Sequence, residues 1–289
     1  MTKRFFLPFL LLWASAAAAQ NDAYSVVGID QLFRVPLFEG SPVEVGTLPV
    51  TSIFGLAFDG AGTLYGVSAD TDELLVIDPD TAQVTSVGPL GFDVSIQGGL
   101  TFDPAGDLWL VSDNDLYSVD AQDGQATLFG DLASSVDVWG LSACGDQLTA
   151  LYNGPGGEKG LASIDTATVT LEISSEHNPL GTHPPAGVDW FQGQVFSLEN
   201  RVSVITPPPM TEGSFLIRLT DMGVFLDERW LMYPLSLAFA IGPPPSVCRP
   251  LAPVDVPALS PAGVLALAGL LAFCAVAVIS RRRLASVRG

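Results

Sequence analysis

One five-residue pattern keeps returning along this chain. Gly55-Leu-Ala-Phe-Asp59 reappears as Gly99-Leu-Thr-Phe-Asp103, and fainter copies start at Gly140 (GLSAC), Gly187 (GVDWF) and Ser236 (SLAFA). Successive starts lie 44, 41, 47 and 49 residues apart. A second series interleaves with the first at Leu32 (LFRVPL), Leu74 (LLVIDP), Leu116 (LYSVDA), Leu161 (LASIDT) and Leu216 (LIRLTD). Self-similarity at this period restricts the chain to architectures assembled from copies of one small unit.

The unit reads as four short strands. In its clearest copy they are Gly55–Phe58, Leu64–Ser68, Leu74–Ile77 and Val84–Val87. The intervening Asp59-Gly-Ala-Gly62, Ala69–Glu73 and Asp78-Pro-Asp80-Thr segments have the composition of tight turns. Four strands per unit of about 40–45 residues is the pattern of a propeller blade. The glycine opening each first strand fits inner strands that crowd around an axis, and the following phenylalanine should pack between blades.

The ends of the repeat region predict how the ring closes. Ala23–Leu32 aligns with Leu64–Leu74, so the chain enters at the second strand of a unit. It leaves after Ser236–Ile241, a first strand, which can complete the blade begun at the N-terminus and leave few free edges. The expectation is an all-β fold: a single β-propeller over residues 20–242 with five four-stranded blades. Six is the alternative count, because Arg201–Gly213 has room for degenerate strands. The combined pattern GLxFD…LYxVS…LxxIDP…VGxL resembles NHL-like and YVTN-like secreted propeller repeats over most of residues 23–242. That resemblance implies the fold and is nearly silent on activity, since propellers host many unrelated functions.

The termini have a different character. Lys3 and Arg4 precede the short apolar run Phe5–Trp13 and the small residues Ala14–Ala19, the layout of a secretory signal peptide over residues 1–19. The apolar run is too short to span about 30 Å of hydrocarbon. Prolines crowd residues 243–256, which read as a semi-rigid stalk. Ala262–Ser280 is uncharged and about as long as a membrane-spanning helix. Arg281, Arg282 and Arg283 follow it, which predicts a cytoplasmic C-terminus and a propeller outside.

Residues 257–289, with Val256 just before them, resemble the IPTL-CTERM sorting signal of Gram-negative bacteria. Pro257, Leu259 and Gly263 match its motif; Val256 is a conservative departure, and Ala258 and Ala262 depart from the usual Thr and Trp. The resemblance implies recognition by a processing enzyme of the exosortase type. A plain single-pass anchor is the alternative.

All 31 acidic residues lie between the signal peptide and Pro257, against six basic ones: Arg34, Lys159, Arg201, Arg218, Arg229 and Arg249. A net charge of −25 there repels nucleic acid and excludes it as a partner. Cys144 and Cys248 are both exported and are a candidate disulfide pair. Cys274 falls in the predicted membrane helix.

No GxxxxGK[ST], HExxH, CxxC or GxSxG motif occurs. His177 and His183 share a loop with Glu176, and Asp189 is nearby, but their spacing matches no zinc site. Asp70, Asp72, Asp113, Asn114, Asn153 and Asn200 all follow second strands, so they share one face. Their oxygens are candidate ligands for calcium or a sugar, although such residues are also what turns use. Trp109, Trp139 and Trp190 are aromatic candidates for sugar stacking, with core packing the plainer reading. No catalytic residue and no required cofactor is assigned. The sequence therefore points to a non-enzymatic, membrane-anchored or surface-sorted binding module, matrix-associated in some settings, with a protein or polysaccharide ligand. The alternative is a metal-dependent propeller hydrolase or lactonase of the gluconolactonase-like kind.

Overall fold

The computed structural model describes residues 22–132, 135–145, 147–177, 185–203, 211–220, 224–231 and 235–242. The expected signal peptide, stalk, sorting motif and membrane helix lie outside them. Among the described residues no helix is long and apolar enough to cross a membrane.

Among the described residues, twenty strands form five separate four-stranded antiparallel sheets. The N-terminal strands are β1 (Asp22–Val27), β2 (Gln31–Pro36) and β3 (Val43–Thr47). Blade one comprises β4 (Ile53–Phe58), β5 (Leu64–Ser68), β6 (Glu73–Ile77) and β7 (Val84–Pro89). Blade two comprises β8 (Gly98–Phe102), β9 (Leu108–Ser112), β10 (Asp115–Val119) and β11 (Ala126–Asp131). Blade three comprises β12 (Asp137–Cys144), β13 (Gln147–Asn153), β14 (Lys159–Asp165) and β15 (Thr170–His177). Blade four comprises β16 (Pro185–Phe191), β17 (Gln194–Ser203), β18 (Thr211–Thr220) and β19 (Phe225–Trp230). The last strand, β20 (Ser236–Gly242), adds to β1 and gives blade five the order β20-β1-β2-β3. The ring closes as the sequence predicts, through pairing from Asp22↔Gly242 to Val27↔Ser236.

The count is five. The described residues of 201–213 belong to β17 and β18, which are long, and their pairing extends from Gln194↔Thr220 to Ser203↔Thr211.

The core is divided among the wedges between blades. Val67 and Leu74 of blade one meet Leu100, Leu108 and Leu110 of blade two. Val111 and Leu116 meet Val138, Leu148 and Ile164 of blade three. Leu151 and Leu161 meet Val188, Val195 and Ile217 of blade four. Phe196, Leu198 and Leu216 meet Ala23, Val35 and Ile241 of blade five. Tyr24, Val26 and Leu32 meet Ile53, Leu64 and Ile77, which completes the circle. Each fully buried aliphatic side chain contributes about 1.5–3 kcal/mol, and alternation along the strands divides that burial between two neighbouring wedges. The repeat phenylalanines pack as expected: Phe58 against Tyr24 at 5.6 Å and Phe102 against Tyr65 at 5.1 Å between ring centroids.

The first strands β4, β8, β12, β16 and β20 surround the axis, each beside the next. Four of them carry a bulge near the start. Phe54, Trp139, Ala186 and Leu237 are the extra residues, lying between Ile53/Gly55, Val138/Gly140, Pro185/Gly187 and Ser236/Ala238 respectively. The bulge at Leu237 corrects the frame of the fifth repeat. Ala238 pairs with Val26 as Gly55 pairs with Val67, so Ala238 takes the glycine position rather than Ser236.

Much of the acidity belongs to turns. Asp59 Oδ1 accepts from the Ala61 and Thr63 amides at 2.9 and 2.7 Å, and Asp103 repeats this with Ala105 and Asp107. Asp78, Asp120 and Asp165 cap the next turns in the same way. These are side-chain-to-backbone turns of the kind short acids favour.

Candidate functional site

The inner strands crowd together at their glycines. A Cβ built on Gly99 would stand 2.3 Å from the Leu141 amide nitrogen, and one on Gly140 would stand 3.0 Å from Gly187 Cα. Only glycine allows the backbones to approach this closely. The void bounded by Gly55, Gly99, Gly140, Gly187 and Phe239 measures about 10 Å3. That is at the lower limit for one water molecule.

Further along β16 is a carboxylate to which the sequence assigns no role. Asp189 occupies the inner-strand position held elsewhere by Ala57, Thr101, Ser142 and Ala240. Its Oδ1 accepts from Ser142 Oγ at 2.7 Å and from the Trp190 amide at 2.8 Å; its Oδ2 accepts from the Ile241 amide at 2.8 Å. One side chain of blade four thus joins blades three and five. Part of its surface still reaches solvent, but its carboxyl is enclosed by protein. Burial pushes its pKa up, against the lowering effect of the Ile241, Ser142 and Trp190 hydrogen bonds. The only signal for it in the sequence is the acid inside GVDWF.

Of the polar residues expected after the second strands, Asp70, Asp72, Asp113 and Asn114 lie in turns, whereas Asn153 and Asn200 lie within β13 and β17. Asp72 Oδ1 accepts from the Val94 amide at 2.9 Å. Asn114 donates from Nδ2 to the Val136 carbonyl at 3.0 Å and accepts the Val138 amide on Oδ1 at 3.0 Å. Asn200 donates to the Ser236 carbonyl at 2.7 Å and accepts its amide at 2.9 Å. Each of these three grips the segment leading into the next blade. Asp72 and Asn114 have φ of 54° and 69°, the left-handed region that Asp and Asn tolerate. Asp113 also has positive φ, and its amide bonds the Gln97 carbonyl. Asp70 accepts from Thr51 Oγ1. Asn153 lies in β13, paired with Asp137 and Lys159. No group of three or more acids, histidines or cysteines among the described residues is arranged to hold a metal ion.

Among the tryptophans, Trp109 bonds Asp103 Oδ2 at 3.0 Å through its indole nitrogen and meets Phe129 edge-on. Trp190 is buried in the wedge between blades three and four. Trp139 is the bulge residue of β12, and its buried indole N–H has no hydrogen-bond partner. His177 ends β15 and His183 lies outside the described residues. Lys159 and Glu199 are buried, and each has an interaction partner. Cys144 ends β12 and is disulfide-bonded; its counterpart lies outside the described residues.

Three concave surfaces among the described residues lie off the axis. Two flank Arg229 where blade four meets blade five. One, of about 270 Å3, is lined by Phe38, Phe196, Arg218 and Asp227 among others. The other, of about 230 Å3, is lined by Phe33, Pro42 and Trp230 among others. Arg229 donates to the Pro36 and Gly40 carbonyls, and Arg218 is ion-paired with Asp227. A third, wide and polar, hollow of about 510 Å3 lies on blade two beside Asp107, Asp120 and Asp123.

The ring of five sheets, closed by its last strand, defines the class: a five-bladed β-propeller repeat protein. No protein-family model matches the chain, and no curated protein matches it. Solved structures do. A chain from the crystal structure of a nidogen/laminin complex superimposes with a TM-score of 0.52 at 11% identity, covering 76% of this chain and 98% of that one. A Bacteroides thetaiotaomicron protein of unknown function gives 0.47 at 14% identity, over 61% and 53% of the two chains. Kuenenia stuttgartiensis hydrazine synthase gives 0.38 at 13% identity, over 72% and 66%. The first of these likenesses is one of fold.

Proposed function

We propose that this chain is an exported propeller, held at the cell envelope by its C-terminal segment, that binds a protein or polysaccharide through its outer surfaces and performs no catalysis. The observation that carries the reading is the close packing of the inner strands at their glycines. The void at the level of the inner-strand glycines, about 10 Å3, is too small for a ligand, and the reading puts recognition on the faces and flanks of the ring. The signal-peptide layout and the IPTL-CTERM-like tail support export and sorting by an exosortase-type enzyme. The described surface best suited to a ligand is the pair of clefts astride Arg229, where aromatic rings stand beside charged groups. The structural neighbour from a nidogen/laminin complex is itself part of a protein–protein assembly, which is in keeping with a binding role.

The gluconolactonase-like alternative would need a metal on the axis. The inner-strand acid Asp189 is already committed to three hydrogen bonds, and this favours the binding reading. The test is retention of the mature full-length protein on extracellular polysaccharide and on envelope proteins from its host. Saturable retention that weakens at least about fivefold in Phe38→Ala, a loss of roughly 1 kcal/mol, supports the reading. Lactone turnover that a chelator abolishes would replace it.

A further inference from the structure

We infer that Cys144 and Cys248 form one disulfide, and that this bond fastens the exit of the closing strand to blade three. The inference rests on the export reading above, because a structural disulfide persists in an oxidising compartment.

Three observations carry it. Cys144 is disulfide-bonded, and the chain offers only Cys248 and Cys274 as intramolecular partners. Cys274 falls in the apolar run read as a membrane helix, whereas Cys248 follows the last propeller residue, Gly242, by six positions. The third observation is proximity. The Asp189 carboxylate touches both Ser142, two residues before Cys144, and Ile241, one residue before Gly242. The chain therefore leaves the ring near the end of β12. Six residues reach about 20 Å when extended, ample to bring Cys248 to the roughly 5.5–6 Å Cα separation of a disulfide.

The bond has a mechanical consequence. The strand pairing that closes the ring is that of β20 with β1. Any anchor C-terminal to Cys248 would otherwise pull on β20 directly and peel it from β1. With Cys248 bonded to Cys144, such a load passes into β12, an inner strand flanked by β8 and β16, and bypasses the closing seam.

The experiment uses the full chain produced by an exporting host, digested without reduction and analysed by mass spectrometry. The expected result is a reducible cross-link between the peptides bearing Cys144 and Cys248. Cys248→Ser should expose the Cys144 thiol to maleimide in denaturant and lower Tm by about 5–15 °C. Cys144→Ser should match it, and the double variant should fall no further. Free Cys144 and Cys248 thiols in the wild type, or Cys144 linked to Cys274 or to a second chain, would overturn the pairing. The same spectra read export separately. A processed N-terminus with free thiols refutes the pairing alone, and a retained leader with the cross-link present refutes export alone.

Discussion

Asn200 holds Ser236 by both of its backbone groups: Nδ2 donates to the Ser236 carbonyl at 2.7 Å, and Oδ1 accepts the Ser236 amide at 2.9 Å. The two residues belong to different blades, and Ser236 starts the strand that closes the ring. Ser214 Oγ donates to the same Oδ1 at 2.9 Å, so a buried polar node fixes where β20 begins. Asn200→Ala strands these partners without water. Each orphaned buried group costs about 1–3 kcal/mol. The expected outcome is a loss of about 2–4 kcal/mol in denaturant unfolding. Asn200→Asp keeps the acceptor but loses the donor to the carbonyl, and should fall between wild type and Ala.

Asp189 should make stability depend on pH in a direction opposite to that of a salt-bridged acid. Burial raises its folded pKa, so the folded state holds the proton more tightly than the unfolded chain does. The contribution is most favourable below the unfolded carboxylate range near pH 4. It declines as pH rises through the raised folded value. Asp189→Asn removes that slope. It also turns a second donor toward the Ile241 amide or leaves that amide unpaired, at about 1–3 kcal/mol. Unfolding free energies of both proteins from pH 3 to 8 check the sign.

Close packing at the axis predicts a sharp contrast between two glycines. Gly99→Ala places a methyl 2.3 Å from Leu141 N and 2.6 Å from Gly140 C. Backbone on both sides has no room to yield, and overpacking should cost 3 kcal/mol or more, roughly the upper end for core insertions. Gly60→Ala meets nothing within 4 Å and should leave Tm within about 2 °C. Thermal melts of the two variants measure the difference.

Calcium at millimolar concentration should not shift Tm. The oxygens of Asp72, Asn114 and Asn200 are committed to the approach segments of the next blades, and a ligand stabilises only what it binds. A rise of several degrees, reversed by chelator, would show a cation site on that face.

Strand order, ring closure and wedge packing were legible in the sequence because they depend on periodic properties. The offset between the GLxFD and Leu32/Leu74 series gives the entry point, and alternation gives the buried faces. Features that depend on single residues were not. A bulge at Leu237 shifts the last repeat by two positions, and no compositional cue marks an extra residue. Asp72, Asn114 and Asn200 read equally well as turn formers or as ligands, because a sequence does not say which donor a turn oxygen meets. The length of β17 and β18 imitated a hidden blade because Pro207, Pro208 and Pro209 interrupt what is otherwise strand-like. Asp189 shows in the sequence only as the acid inside GVDWF, and its role emerges once Ser142 and Ile241 are brought to it from neighbouring blades.

The most direct test of the account as a whole is the intact mass and terminal sequencing of the mature protein recovered from its native envelope. The account predicts a chain that starts at or next to Gln20, carries the whole propeller through Gly242, and has been cut within the segment beyond Val256. A chain that keeps Met1–Ala19, or one found soluble inside the cell with Arg281–Gly289 intact, would contradict it.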